Sequence, residues 1–303
     1  MPIVRTAYVI AIGIDNYVDR DLALSYAKSD ANLFADAIEK SLMDTGRYSH
    51  VKSIRMLDGE STWANVQGVL TQLAGGTVST SLAPKFRFPR PQAQDAVFFY
   101  FAGHGAFLKN QFRLIMHDFE RETLKNSIND DALRNAMAST VASDLVIVID
   151  ACQSGKIMGD DLGRYGPFDS GTFSQMAYDK GVFALVATQS QGAAKELSEL
   201  GHGVLTDSLI VRGLQRKQSP GPRAGESVIS IREFLQFPVE DVPLRQRTKR
   251  LQVIEKSPPR ESSRASGLRL LALENEPPEA IQRPRAFFPP VWVNPDFIVG
   301  KKE

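Results

Sequence analysis

Residues 145–149 read Leu-Val-Ile-Val-Ile, and residues 96–101 read Ala-Val-Phe-Phe-Tyr-Phe. Runs this short and this uniformly apolar have no side suited to water, so each needs neighbours on both faces. A strand at the centre of a parallel sheet, covered above and below by helices, meets that requirement. Strands are expected at 6–14, 51–57, 95–101, 144–150 and 181–188. Amphipathic stretches at 26–42, 62–73, 128–142, 203–216 and 230–239 alternate with them, the first carrying Ala27, Ala31, Phe34, Ala35 and Ile38 at helical spacing. The alternation predicts the α/β class, with a mostly parallel central sheet of about six strands and helices on both faces.

Three stretches break the rhythm. Residues 77–94 hold Pro84, Pro89 and Pro91 among Lys and Arg, which reads as an exposed loop. Residues 156–180 are rich in Gly and Asp, and residues 245–269 carry eight basic and two acidic residues with Pro258-Pro259. All three are expected to be mobile. Lys plus Arg exceed Asp plus Glu by only one across the chain, so the last stretch reads as a solvated insertion rather than an arm for phosphates, and neither nucleic acid nor membrane is an expected partner. One cysteine and four scattered histidines offer no zinc-ligand pair, and no apolar run approaches the ~20 residues that span a bilayer. Residues 7–14 run into Asp15-Asn16 without a small-x-small cleavage site, so they read as a buried strand, not a signal-peptide core. A reducing, cytoplasmic setting is the expectation.

Reactive residues follow two of the strands. The run 96–101 leads into Ala102-Gly103-His104-Gly105, and 145–149 into Asp150-Ala151-Cys152-Gln153-Ser154-Gly155. In open parallel sheets the carboxyl ends of neighbouring strands share one edge, so His104 and Cys152 should lie side by side. A cysteine attacks a carbonyl as thiolate, and a histidine can take its proton and later protonate a leaving amine. The glycines flanking His104 would let substrate approach the backbone, and the N–H groups of Gly105 and Cys152 could face the oxyanion. This constellation describes an acyl-transfer site. His202 reads as a turn residue, and His50 and His117 as structural or solvent-exposed.

The two motifs, 48 residues apart from His104 to Cys152, resemble those of the caspase-like cysteine peptidases, particularly the bacterial metacaspase-type and paracaspase-like members. The resemblance extends to Ala11-Ile-Gly-Ile-Asp-Asn-Tyr17 with Leu24-Ser-Tyr-Ala-Lys-Ser-Asp-Ala31, to Ala187-Thr-Gln-Ser-Gln-Gly-Ala-Ala-Lys-Glu196 with Gly201-His-Gly-Val-Leu-Thr206, and to Gln282-Arg-Pro-Arg-Ala-Phe-Phe288. It covers nearly the whole chain apart from the basic insertions. It implies a polypeptide substrate. True caspases place Gln before the Ala-Cys pair and line their pocket with arginines, whereas this chain has Asp150 there and shows no evident arginine pair. In metacaspases and paracaspases an acidic pocket accepts Arg or Lys; Asp30 and Asp150 match its two acidic positions, and Glu196 is a looser match. Carboxylates hold a guanidinium bidentately, which makes the specificity sensible. Two plainer readings stay open: Asp150 as a backbone cap at a strand end, and Asp30 on the exposed face of its helix or paired with Lys28 or Arg20.

The resemblance also divides the chain into a large-subunit-like region, 1–155, an intersubunit-type loop, 156–180, and a small-subunit-like region, 181–303. Family members are often cut between the two regions, and Lys156, Arg164 and Lys180 are candidate self-cleavage positions. Many metacaspases respond to calcium; Asp160, Asp161 and Asp169 are nearby, but their spacing supplies no six-oxygen set, so they read as solvated carboxylates with no metal site and no cofactor required for the chemistry. An upstream sensor or activator protein, and a stress, cell-death or defence pathway, are further expectations from the resemblance. Three alternatives compete: a catalytically silent interaction module, a protease specific for Asp, and a nucleotide-binding fold, the last without the GxGxxG or GxxxxGK[ST] phosphate cradle.

Overall fold

The computed structural model describes residues 4–108, 111–153, 170–189, 201–219, 227–256 and 282–302. Six strands form the main path of one sheet: β1 (Thr6–Gly13), β2 (His50–Leu57), β3 (Ala96–Leu108), β6 (Asp144–Gln153), β7 (Val182–Gln189) and β9 (Arg285–Phe287), in the order β2-β1-β3-β6-β7-β9. The first five run parallel and β9 closes the path antiparallel to β7. Two further strands, β4 (Gln111–Glu120) and β5 (Lys125–Asn129), extend antiparallel from the far end of β3, and β8 (Val228–Ser230) pairs with β10 (Ile298–Lys301) in a separate ribbon.

The strand residues divide by parity, as a pleated strand demands. Val97, Phe99, Phe101, Ile147 and Ile149 pack on one face against α2 (Trp63–Leu73), α3 (Asp130–Ser139) and α4 (Ser170–Lys180). Phe98, Tyr100, Val146 and Val148 pack on the other against α1 (Ala27–Thr45), α5 and α6 (Ile231–Lys256). Here α5 is an α-turn, Val204–Thr206, continued as a π-helix, Asp207–Gln215. Both faces are covered, which accounts for the unbroken apolar runs. The β6 and β7 strands, on either side of 156–180, are hydrogen-bonded neighbours, so the regions before and after that stretch share one sheet.

Several boundaries differ from the sequence expectation for identifiable reasons. The expected helix 128–142 begins only at Asp130, because Ile128 belongs to β5 and the Asn129 side chain caps the Ala132 N–H at 2.9 Å. Helix α6 continues past Pro238 and Pro243 to Lys256, where a stop near 239 was expected. Proline removes a backbone donor and its ring crowds the carbonyl one turn back, so the helix continues against local propensity; around the second proline, Arg245 pairs with Asp207 of α5 at 2.6 Å and Arg212 of α5 pairs with Asp241 at 2.8 Å. The basic stretch from 245 therefore opens as helix, and its part beyond 256 lies outside the described residues. Likewise the end of 156–180 is not loop but α4, while 156–169 lies outside.

The proline-rich segment 77–94 is not an exposed loop throughout. Leu82, Phe86 and Phe88 are buried, and the Phe88 ring packs at a tilt against Tyr8 of β1 with centroids 5.3 Å apart. The segment is fastened by one buried amide: Gln72 of α2 donates to the Phe86 carbonyl and accepts from the Phe88 N–H, both at 3.1 Å. Without periodicity, three apolar residues among prolines give no hint of burial. Gln72→Leu should destabilise the protein by about 1–3 kcal/mol by orphaning the Phe88 N–H, measurable in urea unfolding; an unchanged midpoint would show that the clamp is energetically idle.

Candidate active site

The β3–β6 ladder sets the geometry. In register, Ala102 lies opposite Asp150, Gly103 opposite Ala151, and His104 opposite Cys152, whose other neighbour is Gln189 of β7. Adjacent strands lie about 4.8 Å apart, so the His104 and Cys152 backbones are next-door neighbours. They do not follow the strand ends, as expected, but lie inside them: β3 continues to Leu108 and takes β4 as an antiparallel partner from Gly105 onward. The Cys152 side chain lies outside the described residues.

His104 is buried and held at two points. Its N–H donates to the Tyr17 hydroxyl at 2.9 Å, and its ring Nε2 lies 2.8 Å from the Leu22 carbonyl oxygen. A carbonyl only accepts, so Nε2 carries the hydrogen and Nδ1 is left as the basic nitrogen. The Tyr17 ring packs on the imidazole with centroids 5.1 Å apart. Leu22 sits in a 3-10 turn, Arg20–Leu22, capped by Asp19, which in turn pairs with Arg121 at 2.6 Å. His117 anchors the same loop: its carbonyl accepts from the Val18 N–H at 2.9 Å and its Nδ1 lies 2.5 Å from the Asn16 carbonyl. His50 is exposed at the start of β2.

The glycines beside His104 serve packing. A Cβ on Gly103 would lie 2.8 Å from the Tyr17 hydroxyl, and one on Gly105 2.7 Å from the Phe112 ring. On that side both glycines make room for the chain's own aromatics. Gly105 itself is paired with Gln153 on one side and Leu114 on the other.

Asp30 and Asp150 come together from 120 residues apart in the chain. Both are buried, at 3% and 5% exposure, which removes the reading of Asp30 as an exposed helix residue. Lys28 pairs with Asp58 instead, at 3.2 Å. The Gly203 N–H donates to both Asp30 oxygens at 2.9 and 3.1 Å, and a Cβ on Gly203 would lie 2.7 Å from Asp30 Oδ2 and 3.1 Å from Asp150 Oδ2. The two carboxylates thus flank a single point on the edge of the sheet. Gln282 donates from Nε2 to Asp150 Oδ1 at 3.2 Å. His202 is more than a turn residue, its Nδ1 lying 3.7 Å from Asp30 Oδ1. Burial, then the neighbouring Asp150 charge, holds the Asp30 carboxyl well above the usual carboxylate range despite the Gly203 N–H. Burial and the same two carboxylates push Tyr100 up; its hydroxyl shares a 2.7 Å hydrogen bond with Thr206.

The remaining sequence candidates are placed elsewhere. Glu196, Lys156, Arg164, Asp160, Asp161 and Asp169 lie outside the described residues, and Lys180 is exposed at the end of α4. Among the described residues no cluster of three His, Cys, Asp or Glu side chains is arranged to hold a metal ion, and no helix is long and apolar enough to cross a membrane.

The Caspase domain family model (Peptidase_C14) matches residues 6–253. The chain therefore belongs to the caspase-domain family, and its largely parallel six-stranded path is the fold of that family. The solved structure of pro-sf-caspase-1 is similar at 13% identity, with 86% of this chain and 85% of that chain covered and a TM-score of 0.34. None of the curated proteins matches the chain in sequence.

The raised Asp30 carboxyl gives a signed expectation. Its folded-state pKa lies above its unfolded value, so the folded state holds an extra proton between the two, and stability falls as pH rises from about 4 toward the folded pKa. Asp30→Asn keeps an acceptor for the Gly203 N–H and removes the charge. Its melting temperature relative to wild type should rise from pH 4 to pH 8, with a gain of about 1–3 kcal/mol at the upper end; a pH-independent difference would refute the assignment.

Proposed function

We propose that this protein is a cysteine endopeptidase that cleaves polypeptides after Arg or Lys. The observation that carries the proposal is the placement of His104 opposite Cys152 on the sheet edge that also holds the buried Asp30–Asp150 pair. His104 Nδ1 takes the thiol proton, and the Cys152 thiolate attacks the scissile carbonyl carbon. The oxyanion is met by the Gly105 and Cys152 N–H groups, and protonated His104 donates to the departing amine as the C–N bond breaks. Water, deprotonated by His104, then opens the thioester and frees the thiol. The Leu22 carbonyl supports the imidazolium at Nε2 throughout, and Tyr17 fixes the ring.

Two carboxylates facing one point suit a cationic side chain. An arriving guanidinium would offset the burial and mutual repulsion that raise the Asp30 carboxyl, and an aspartate substrate would add a third negative charge at the same point. Glu196 belongs to this pocket in our reading, and processing at Lys156, Arg164 or Lys180 is consistent with basic specificity. The reading extends to a cytoplasmic enzyme acting in a stress, cell-death or defence pathway downstream of a sensor, with calcium as a candidate activator.

Fluorogenic peptides ending in Arg, Lys or Asp, with and without calcium, test the proposal. Cleavage after Arg or Lys should fall by more than about 10³-fold in Cys152→Ala and in His104→Ala. Cleavage after Asp would overturn the pocket assignment while keeping the chemistry, and cleavage that survives Cys152→Ala would overturn the nucleophile.

A further inference from the structure

The acidic pair has a neighbour that its charge alone does not explain. Gln282 is fully buried, three residues ahead of Arg285, which pairs with Val186 of β7. Because β7 runs three residues from Val186 to Gln189, the partner of Cys152, an antiparallel approach brings Gln282 to the same edge. Its orientation follows from its bonds. Nε2 donates to Asp150 Oδ1 at 3.2 Å, and its backbone N–H donates to Gln246 Oε1 on α6 at 2.8 Å. A carboxylate accepts, so the amide is turned with its nitrogen to Asp150. Among the described residues its carbonyl oxygen, Oε1, is left buried without a hydrogen-bond partner, as is Nε2 of Gln246.

A buried amide oxygen without a donor is destabilising, and its presence beside a specificity pocket calls for a ligand that donates. Two carboxylates close together already repel each other, so a third acceptor at this edge is cheapest if it is neutral, as an amide is. The difference between the two candidate side chains is geometric. A guanidinium offers five N–H donors in a planar fork, and an ammonium offers three around one nitrogen. Asp30 and Asp150 can satisfy either one. A third acceptor beside Asp150 offers a partner to the additional N–H donors of a guanidinium, which an ammonium needs less.

We infer that Gln282 is a specificity-determining residue that selects Arg over Lys, accepting a guanidinium N–H through Oε1 while Gln246 holds it in place. The inference rests on the reading of Asp30 and Asp150 as the pocket for a basic side chain and refines it. A purely structural Gln282, one that only orients Asp150, would serve Arg and Lys alike.

The test compares wild type, Gln282→Met and Gln246→Met on matched peptides ending in Arg or Lys, with KM and kcat separated. In parallel, agmatine and cadaverine are titrated calorimetrically into Cys152→Ala, with and without Gln282→Met, which needs no catalysis. Gln282→Met should lower the Arg-to-Lys ratio of kcat/KM by about tenfold, mainly through KM for Arg, and lower agmatine affinity by a similar factor while leaving cadaverine little changed. Gln246→Met keeps the amide but unfastens it, so a smaller shift in the same direction is expected. An unchanged ratio, or equal losses for both cations, would overturn the role of Gln282 while leaving the pocket standing. A Cys152→Ala protein that binds neither cation would overturn the pocket and this inference together.

Discussion

Ten consecutive backbone pairs join β3 to β6, from Ala96 with Asp144 to Gly105 with Gln153, and the site depends on the last few of them. Over the first six pairs the ladder lies beneath apolar cover on both faces, so its register is fixed by burial: a one-residue slip would turn Phe98, Tyr100, Val146 and Val148 to the wrong side. The following pairs carry Asp150, His104 and Cys152. A rigid core thus dictates where the chemistry-bearing residues fall, and the outer part of β3 is kept from fraying by β4. Reactive groups on paired strands are held more tightly than they would be on loops.

The acidic pair carries the opposite constraint. Taking two carboxylates from water to one buried point is unfavourable unless donors or cations meet them. Among the donors that meet them are the Gly203 N–H to Asp30 and the Gln282 amide to Asp150. The nearby Asp207 is matched by Arg245 and so adds little further negative charge. What is left at Asp30 is a carboxyl that burial, and then the neighbouring Asp150 charge, holds well above the usual carboxylate range. The loop around Leu22 does the converse for His104, offering a carbonyl rather than a carboxylate to the imidazole. That choice orients the ring without adding another charge to the edge.

Much of this was legible in the sequence because it is written in residue identity. Uniform apolar runs named the central strands, and the residues following them named His104, Cys152 and Asp150. Asp30 emerged by resemblance, and its burial could not have been read from a helix whose polar and apolar residues both look ordinary. The Leu22 carbonyl was illegible in principle, since every residue has one. Tyr17 lay inside a quoted motif, but its link to His104 spans 87 residues and appears only when β1 and β3 pair. His117 and Gln72 are isolated polar residues that clamp loops from a distance, and no periodicity marks them. The passage of α6 through Pro238 and Pro243 runs against local propensity because packing on α5 and the Arg–Asp pairs outweigh it.

That helix explains why the site belongs to the whole chain. Arg245 and Gln246 are consecutive on α6, just after Pro243, and each is linked toward the acidic edge, Gln246 through one intermediate and Arg245 through a longer chain. Arg245 holds Asp207, next to the Thr206 that bonds Tyr100; Gln246 holds Gln282, which bonds Asp150. The proline frees the helix from one hydrogen bond at the point where two neighbouring side chains must serve different partners. Asp30 comes from the first helix, Asp150 from the central ladder, Gly203 from the turn before α5 and Gln282 from the approach to the last strand of the path. No single region contains the acidic pair and its neighbours. The electrostatics of the pair exist only when residues near both ends of the chain have folded onto one sheet edge.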